Sequence, residues 1–564
     1  VAKRSELSTA LFAVAITFLS NSALAKAESS GGAGGAYTPM DFGAKGNAVI
    51  VLDGAITVNS AVLTTTKSTP FRCPSDVGKA IVITGAGQRF PNVTAAIGDK
   101  SELPLALVST IASCQASNRV TLAHRAFFTV ANRWTAFGTD DTAALRACVN
   151  AGTNLGGRCT ITDGVTFMAS NTATMIAVYN KSGKASISSG VIDGRGTIIV
   201  APQGTNTPGS NDRLFFAINH LSDYYEIAAA IPTGASSFRA ANASDAAKLA
   251  PGAWIVIDET WPPVGNNGWI DWAQVKSVSG ATVTLTQPTR MTWPDIDGWA
   301  PPYVGLGWRV IQGTLWGVTL KDFTVIIPPI NSGNGWGVMA IESQATNDLT
   351  IENVTCWNAS YGCFASERDR GVKLLNNRFM MEAIATEAAA TVDGVFTGNT
   401  FAKKASPLNQ NLSPCSTGLA PDGFLLDGGT AFFVFKGNSI PEACAYGVGA
   451  YQGVHDGLIE GNTIGWLRNT GSRSVGINVA GGYRLTVANN SLAGADGSAS
   501  IAVAFGDESR PAIASDANVA FNNHASETGF RGGVYGFFGA RGTDCVVHHA
   551  PEPRGAGRQC GRGQ

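Results

Sequence analysis

Four acidic residues recur at matching places in successive short apolar runs. The runs read WGVMAIES, YGCFASER, AIATEAA and DGFLLDGG, and their ends carry Glu342, Glu367, Glu387 and Asp427. Two following runs, YGVGAYQG and VGINVAGG, place uncharged Gln452 and Gly481 at the aligned position. If each run is one strand of a stacked parallel sheet, neighbouring strands lie about 4.8 Å apart. The four carboxyls then stack in one column on an outward wall. Stacked like charges repel, which raises at least one pKa. Two carboxyls about 5 Å apart suit glycoside cleavage with retention, and roughly 6.5–9.5 Å suits inversion through a water. Adjacent coils are expected to supply the first spacing and alternate coils the second. One acid would protonate the leaving oxygen, and the other would attack or activate water.

Around these candidates lie residues suited to holding a sugar. Arg368, Asp369 and Arg370 follow Glu367 directly and suit hydroxyls or a uronate. Trp336, Tyr451 and Gln452 complete the expected substrate-binding set. Nine of the 12 tryptophans fall within 254–336, several among Pro, Gly, Asn and Asp. Those are loop compositions, in which an exposed ring offers an apolar face to a sugar and an N–H to its hydroxyls. Packing of an insert against the coils is the equally weighted alternative. The segment 403–421 is expected to wall one side of the groove. A lyase would instead need a uronate substrate, a basic proton acceptor such as Arg368, Arg370, Lys403 or Lys404, and often calcium on the same carboxylates. No metal site and no cofactor is otherwise expected. A third alternative is a non-catalytic glycan-binding surface protein.

The elements that position these residues are announced by a second repeat. An alternating apolar run, a polar mark and another apolar residue recur as VTLKDFTV, LTIENVTC, VKLLNNRF, GVFTGNTF, FVFKGNSI, GLIEGNTI, LTVANNSL and NVAFNNHA. The marks are Asp322, Asn353, Asn377, Asn399, Asn438, Asn462, Asn490 and Asn523, spaced 22 to 39 residues apart. Alternation on both sides of a polar mark reads as strand, turn, strand. A period of this size means stacked supersecondary units. Asn tolerates left-handed backbone and can pass amide hydrogen bonds to its copy in the next unit. The expected fold is an all-β, right-handed parallel β-helix with a short N-terminal capping helix and two small β inserts.

The N-terminal pieces agree. YTPMDFGAKGN (37–47) and GTDDTAALRACVNAG (138–152) resemble the opening of the pectate-lyase-like β-helix superfamily, which includes rhamnogalacturonases and tailspike depolymerases. That resemblance implies the fold and a substrate groove on the acid-bearing sheet. The superfamily also contains lyases, epimerases and non-enzymes, and the Asp-Asp and Gly-His-Gly pattern of polygalacturonase-type hydrolases is absent from this chain. Asp140 and Asp141 are expected to cap a short helix, not to catalyse.

The chain divides accordingly. Residues 1–25 read as an export signal, with Lys3 and Arg4 before an apolar run and Ala23-Leu24-Ala25 as a cleavage site. A linker (26–36) leads into the start of the cap (37–52). A first small β insert (53–134) precedes the capping helix and early coils (135–226). A second, Trp-rich insert (227–310) echoes the first: both carry a Gly before an alternating strand, and both end in a VTL core at 120–122 and 283–285. The main coils occupy 311–550, and a Gly/Arg/Pro-rich tail fills 551–564.

Net charge is -1 and only 14% of residues are charged. Nucleic-acid binding needs a basic surface and is excluded on that ground. No further stretch is long enough to insert in a membrane. Ten cysteines fit a secreted or periplasmic location, with local pairing expected for Cys73 and Cys114, Cys148 and Cys159, Cys356 and Cys363, Cys415 and Cys444, Cys545 and Cys560. His548 and His549 lie too near the C-terminus to suggest His-based catalysis.

Overall fold

The computed structural model describes residues 35–88, 105–153, 157–171, 176–179, 189–203, 213–260, 270–293, 305–312, 316–330, 338–358, 362–380, 386–402, 423–443, 446–467, 474–495, 501–506, 508–509, 512–513, 517–526 and 535–538. The export signal, Trp336, the segment 403–421, the last four cysteines, His548, His549 and the C-terminal tail lie outside these residues.

Three parallel sheets of 11, 10 and 10 strands wind around one core. A representative coil runs Thr319–Lys321 in the first sheet, Thr324–Ile327 in the second and Met339–Gln344 in the third. The next coil repeats it as Thr350–Glu352, Thr355–Asn358 and Phe364–Glu367. Three-residue strands suffice because alternation sends one side chain inward. Leu320, Ile351, Leu374, Phe396, Phe435 and Ile459 stand in one register row, and all are at most 1% exposed. Each contributes about 1.5–3 kcal/mol by burial. Phenylalanines cluster midway, with Phe401 stacked on Phe435 at 6.1 Å and Phe396 against Phe424 at 5.1 Å. The protein is a parallel β-helix.

The corner between the first and second sheets carries the amide ladder. The side-chain nitrogens of Asn377, Asn399, Asn438, Asn462 and Asn490 each donate to the side-chain oxygen of the next, at 2.8–3.1 Å. Each of those oxygens also accepts the preceding asparagine's backbone N–H, and each side-chain nitrogen donates to a backbone carbonyl one coil back. The ladder starts later than the sequence pattern suggests. Asp322 and Asn353 occupy the preceding, left-handed position (φ 69° and 52°), which in later coils belongs to Asn376, Gly398, Gly437 and Gly461. Phe323 and Val354 stand at the ladder position instead, and Val354 only donates its backbone N–H to Asn377. A polar residue suits both places, so the sequence alone cannot separate them.

The helix Thr142–Thr153 covers the early coils, burying Leu145, Cys148 and Val149. The Asp141 carbonyl accepts the first intrahelical bond from Leu145, and the Asp140 carboxylate accepts the Thr142 N–H and hydroxyl. Asp141 does more than cap. Its carboxylate accepts the backbone N–H groups of Lys45 and Gly46 at 2.6 and 3.0 Å. The two N-terminal motifs, some 95 residues apart, therefore meet across the first insert. Cys148–Cys159 ties the helix to the first coil, and Cys73–Cys114 and Cys356–Cys363 are also bonded.

The first insert is a closed six-stranded antiparallel barrel. Five of its strands run in the order Val62–Thr65, Arg119–Leu122, Leu107–Ala116, Ala80–Ile83, Val130–Gly138. The second repeats that order with Ser237–Arg239, Thr282–Leu285, Ile270–Ser279, Trp254–Thr260, Gly305–Gln312. Equivalent glycines, Gly78 (φ 87°) and Gly252 (φ 86°), donate to Ile111 and Val275 on equivalent strands. Only Gly adopts this conformation without strain. Val49–Ile56 closes the first barrel along its length. The second closes through a single bridge, Ile227 to Ala240. Among the described residues, no helix is long and apolar enough to cross a membrane.

Candidate active site

The third sheet carries the acids, and all four of their strands lie side by side in it. Pairing runs Glu342 to Ala365 to Glu387 along one row. A second row, two residues further along each strand, runs Gln344 to Glu367 to Ala389 to Asp427. The intervening residues Ser343, Ser366 and Ala388 are buried, so both rows face outward. The acids therefore occupy one wall, as expected, but in two staggered columns and not one. Like charges alternate between rows from coil to coil. Acids on neighbouring strands are offset by two residues, which puts their Cα atoms roughly 8 Å apart; acids sharing a row lie two strands, or about 9.6 Å, apart. No two acids stand directly opposite at one strand spacing, so the register does not place a pair at the short spacing.

The first two acids are each paired with an arginine. Arg213, on the preceding strand, holds Glu342 with Nε and Nη2 in a two-pronged pair. Arg368 pairs through Nη1 with Glu367, whose other oxygen accepts the Gln344 amide at 3.0 Å. Burial pushes Glu342 up despite its arginine.

Among the described residues, the other two acids have no such partner. Burial, followed by the charges of Asp427, Glu367 and Glu342, pushes Glu387 up to about 8. Burial pushes Asp427 up to about 6, opposed by a 2.7 Å hydrogen bond from the Gly428 N–H. Glu387 therefore holds its proton to higher pH than Asp427 does. Two carboxyls separated in this way by their surroundings match an acid and a base.

The expected substrate-binding residues scatter. Asp369 does not reach the groove: it is fully buried and accepts hydrogen bonds from Ser343, Thr346 N–H and the Thr346 hydroxyl at 2.5–2.8 Å. Its carboxyl, pushed up to about 7 by burial, braces the turn between coils. Arg368 is a left-handed corner residue (φ 57°), and Gln452 (φ 54°) is its counterpart in a later coil. The outward residue matching Glu367 and Asp427 there is Tyr451, not Gln452, because the register is one residue short of the sequence alignment. Arg370 leans over the Trp254 ring at 4.9 Å and faces Asp393 at 3.4 Å. It belongs to the seam with the second insert.

That seam borders the ends of the acid strands. Trp272 donates its indole N–H to the Arg368 carbonyl at 3.1 Å. Asp258, 1% exposed, lies 3.3 Å from Arg309 and 3.6 Å from Arg368. Burial raises its pKa against the pull of both arginines. Arg290 bridges Asp271 and Asp393 and covers the Phe432 ring at 4.0 Å. Trp293 and Trp308 are wholly buried inside the insert, and Trp272 is 7% exposed. These three rings pack; they do not offer faces to a sugar. Arg213, Gln344 and Asp258 escaped the sequence reading because their partners are remote in the chain, Arg213 being 129 residues from Glu342.

No group of three or more potential metal ligands occurs among the described residues. No family model matches the chain, and no curated protein matches it. Solved structures do. The tailspike protein gp49 from Pseudomonas phage LKA1 aligns at 13% identity over 73% of this chain and 74% of its own (TM-score 0.37). The Azotobacter vinelandii mannuronan C-5 epimerase AlgE4 A-module aligns at 11% identity over 73% and 94% (TM-score 0.34). The periplasmic alginate epimerase AlgG aligns at 10% identity over 68% and 77% (TM-score 0.31). The likeness is one of coiled architecture.

Proposed function

We propose that this protein cleaves a polysaccharide as a glycoside hydrolase. Glu387 is the general acid and Asp427 the general base. The observation that carries this reading is the contrast within the acid wall: two carboxyls are matched by arginine, and two adjacent ones have no cation beside them among the described residues and are split in acidity. A protonated Glu387 can donate to a leaving glycosidic oxygen. An ionised Asp427 can take a proton from water. Their backbone offset of roughly 8 Å leaves room for that water, which favours inversion of the anomeric centre. Glu342 and Glu367 act from outside the reaction, their negative charge helping to keep Glu387 protonated. The seam with the second insert supports the far end of the acid strands.

Lyase or epimerase action on a uronate polymer is the second reading. It draws on the same acids and would need a basic group to remove a proton from carbon; Arg368 and Arg370 are both engaged with carboxylates. A purely glycan-binding surface protein is the third. Incubation with neutral and acidic polysaccharides separates the three. New reducing ends without unsaturated product, lost in Glu387→Gln and in Asp427→Asn, support hydrolysis. Unsaturated uronide products point to lyase action. Binding without any product leaves a glycan-binding protein.

A further inference from the structure

Beyond the last acid, the outward rows change character. In the coil after Asp427 they carry Gly449 and Tyr451, and in the next Asn478 and Ala480. A side chain on Gly449 would meet the Tyr451 ring, with its Cβ 2.4 Å from the nearest ring carbon and 3.1 Å from the hydroxyl. The ring therefore lies back along its own strand, over the bare Gly449 backbone. Asn478 donates its amide to the Tyr451 hydroxyl at 3.2 Å. Tyr446 meets the ring edge-on at 6.0 Å. These contacts hold a flat, part-exposed aromatic platform in the same row as Asp427, one strand away.

Charge on the acid side points the same way. Among the described residues, the arginines flanking the acid rows are matched: Arg213 with Glu342, Arg368 with Glu367, Arg370 and Arg290 with Asp393, Arg309 with Asp258. A carboxylate or sulfate on the substrate would meet Glu387 and Asp427 with none of these cations free to receive it. A neutral pyranose would meet carboxyl acceptors, an amide and an apolar ring face, the groups that hydroxyls and C–H faces recognise.

We infer that the acid wall takes a neutral glycan, and that Gly449, Tyr451 and Asn478 form a stacking subsite for a pyranose beside Asp427. This rests on the reading of the acid wall given above. The test is affinity electrophoresis of the full chain through gels holding a neutral glucan, mannan or galactan, or the uronates alginate and pectate. Reducing-end release is assayed in parallel.

At least one neutral polymer is expected to retard the wild type more than either uronate. Tyr451→Ala should weaken that retardation by about tenfold, and Gly449→Ala, which displaces the ring, by a similar factor. Tyr451→Phe keeps the ring and should retain most of the binding, which separates loss of stacking from loss of folding. Stronger retardation by alginate or pectate, or unchanged binding in Tyr451→Ala, would overturn this inference. It would leave the acid pair standing if Glu387→Gln still abolishes cleavage. No retardation by any polymer and no product would overturn both.

Discussion

Two polar columns climb this solenoid, and they are built on opposite rules. The asparagine ladder is buried, uncharged and in strict register, and every side-chain amide from Asn377 to Asn490 donates both to its neighbour and to a backbone carbonyl. The acid wall is charged, staggered between two rows and incompletely paired. Amides can stack because each one donates and accepts. Ionised carboxylates only accept, so a one-column stack of them would have nothing to bind its members together. Staggering increases their separation, and arginine pairs with half of them. What remains, Glu387 and Asp427, is a pair that no described cation holds.

The sharpest way to break this contrast is Glu387→Gln. The substitution should lower turnover by roughly 10²–10⁴-fold, measured as initial rates on a cleaved polymer, while the melting temperature holds or rises. A lowered melting temperature with retained activity would place Glu387 with the structural residues.

At the ladder the opposite is expected. Asn438→Ala removes two side-chain donations and an oxygen that accepts from Asn399 twice. It should cost about 2–5 kcal/mol, read as a lower denaturant midpoint, with the catalytic constants of the surviving folded protein near those of the wild type. Loss of turnover without loss of stability would refute the division.

Glu342→Gln sits between these cases. It leaves Arg213 without its carboxylate, so stability should fall by about 1–3 kcal/mol, with turnover reduced far less than in Glu387→Gln.

The pH response follows from the raised pKa values of the unpaired pair. Folding lifts Glu387 to about 8 and Asp427 to about 6, above their ordinary values of 4.5 and 3.8. The folded state then binds more protons than the unfolded one. These groups' contribution to stability is therefore fully present below about pH 4 and is lost as pH rises through about 6 and then 8. Melting temperatures should decline across that window, and Glu387→Gln should flatten the upper part. Hydrolysis should rise as Asp427 ionises near 6 and fall as Glu387 loses its proton near 8.

The smallest effect is expected at Asn353→Gly. Asn353 resembles a ladder asparagine in sequence but holds only the exposed Asp322 oxygen, in a left-handed conformation that glycine accepts. A change within about 0.5 kcal/mol is expected, against a large loss for the same substitution at Asn377.

Much of the coil was legible in the chain itself. Alternation of apolar residues gives inward rows such as Leu320, Ile351 and Leu374 directly, because strand side chains change sides at every residue. The repeating polar mark located the corners to within one residue, since Asn and Gly tolerate the backbone found there. The echo between the inserts was readable in the glycines before 79–82 and 253–256 and in their VTL cores, and the two strand orders agree.

What the chain left open was set by tertiary structure, for a common physical reason. Register between coils depends on loop length and packing, so a local alignment could not tell one column of acids from two, nor Tyr451 from Gln452. Pairing of charge depends on neighbours far away in sequence: Arg213 reaches Glu342, and Asp258 faces Arg368, only after the coils close and the second insert docks. Composition and spacing determined that a wall of carboxyls would exist. Which two of them have no cation beside them among the described residues, and how their surroundings set their acidities apart, was decided by the fold.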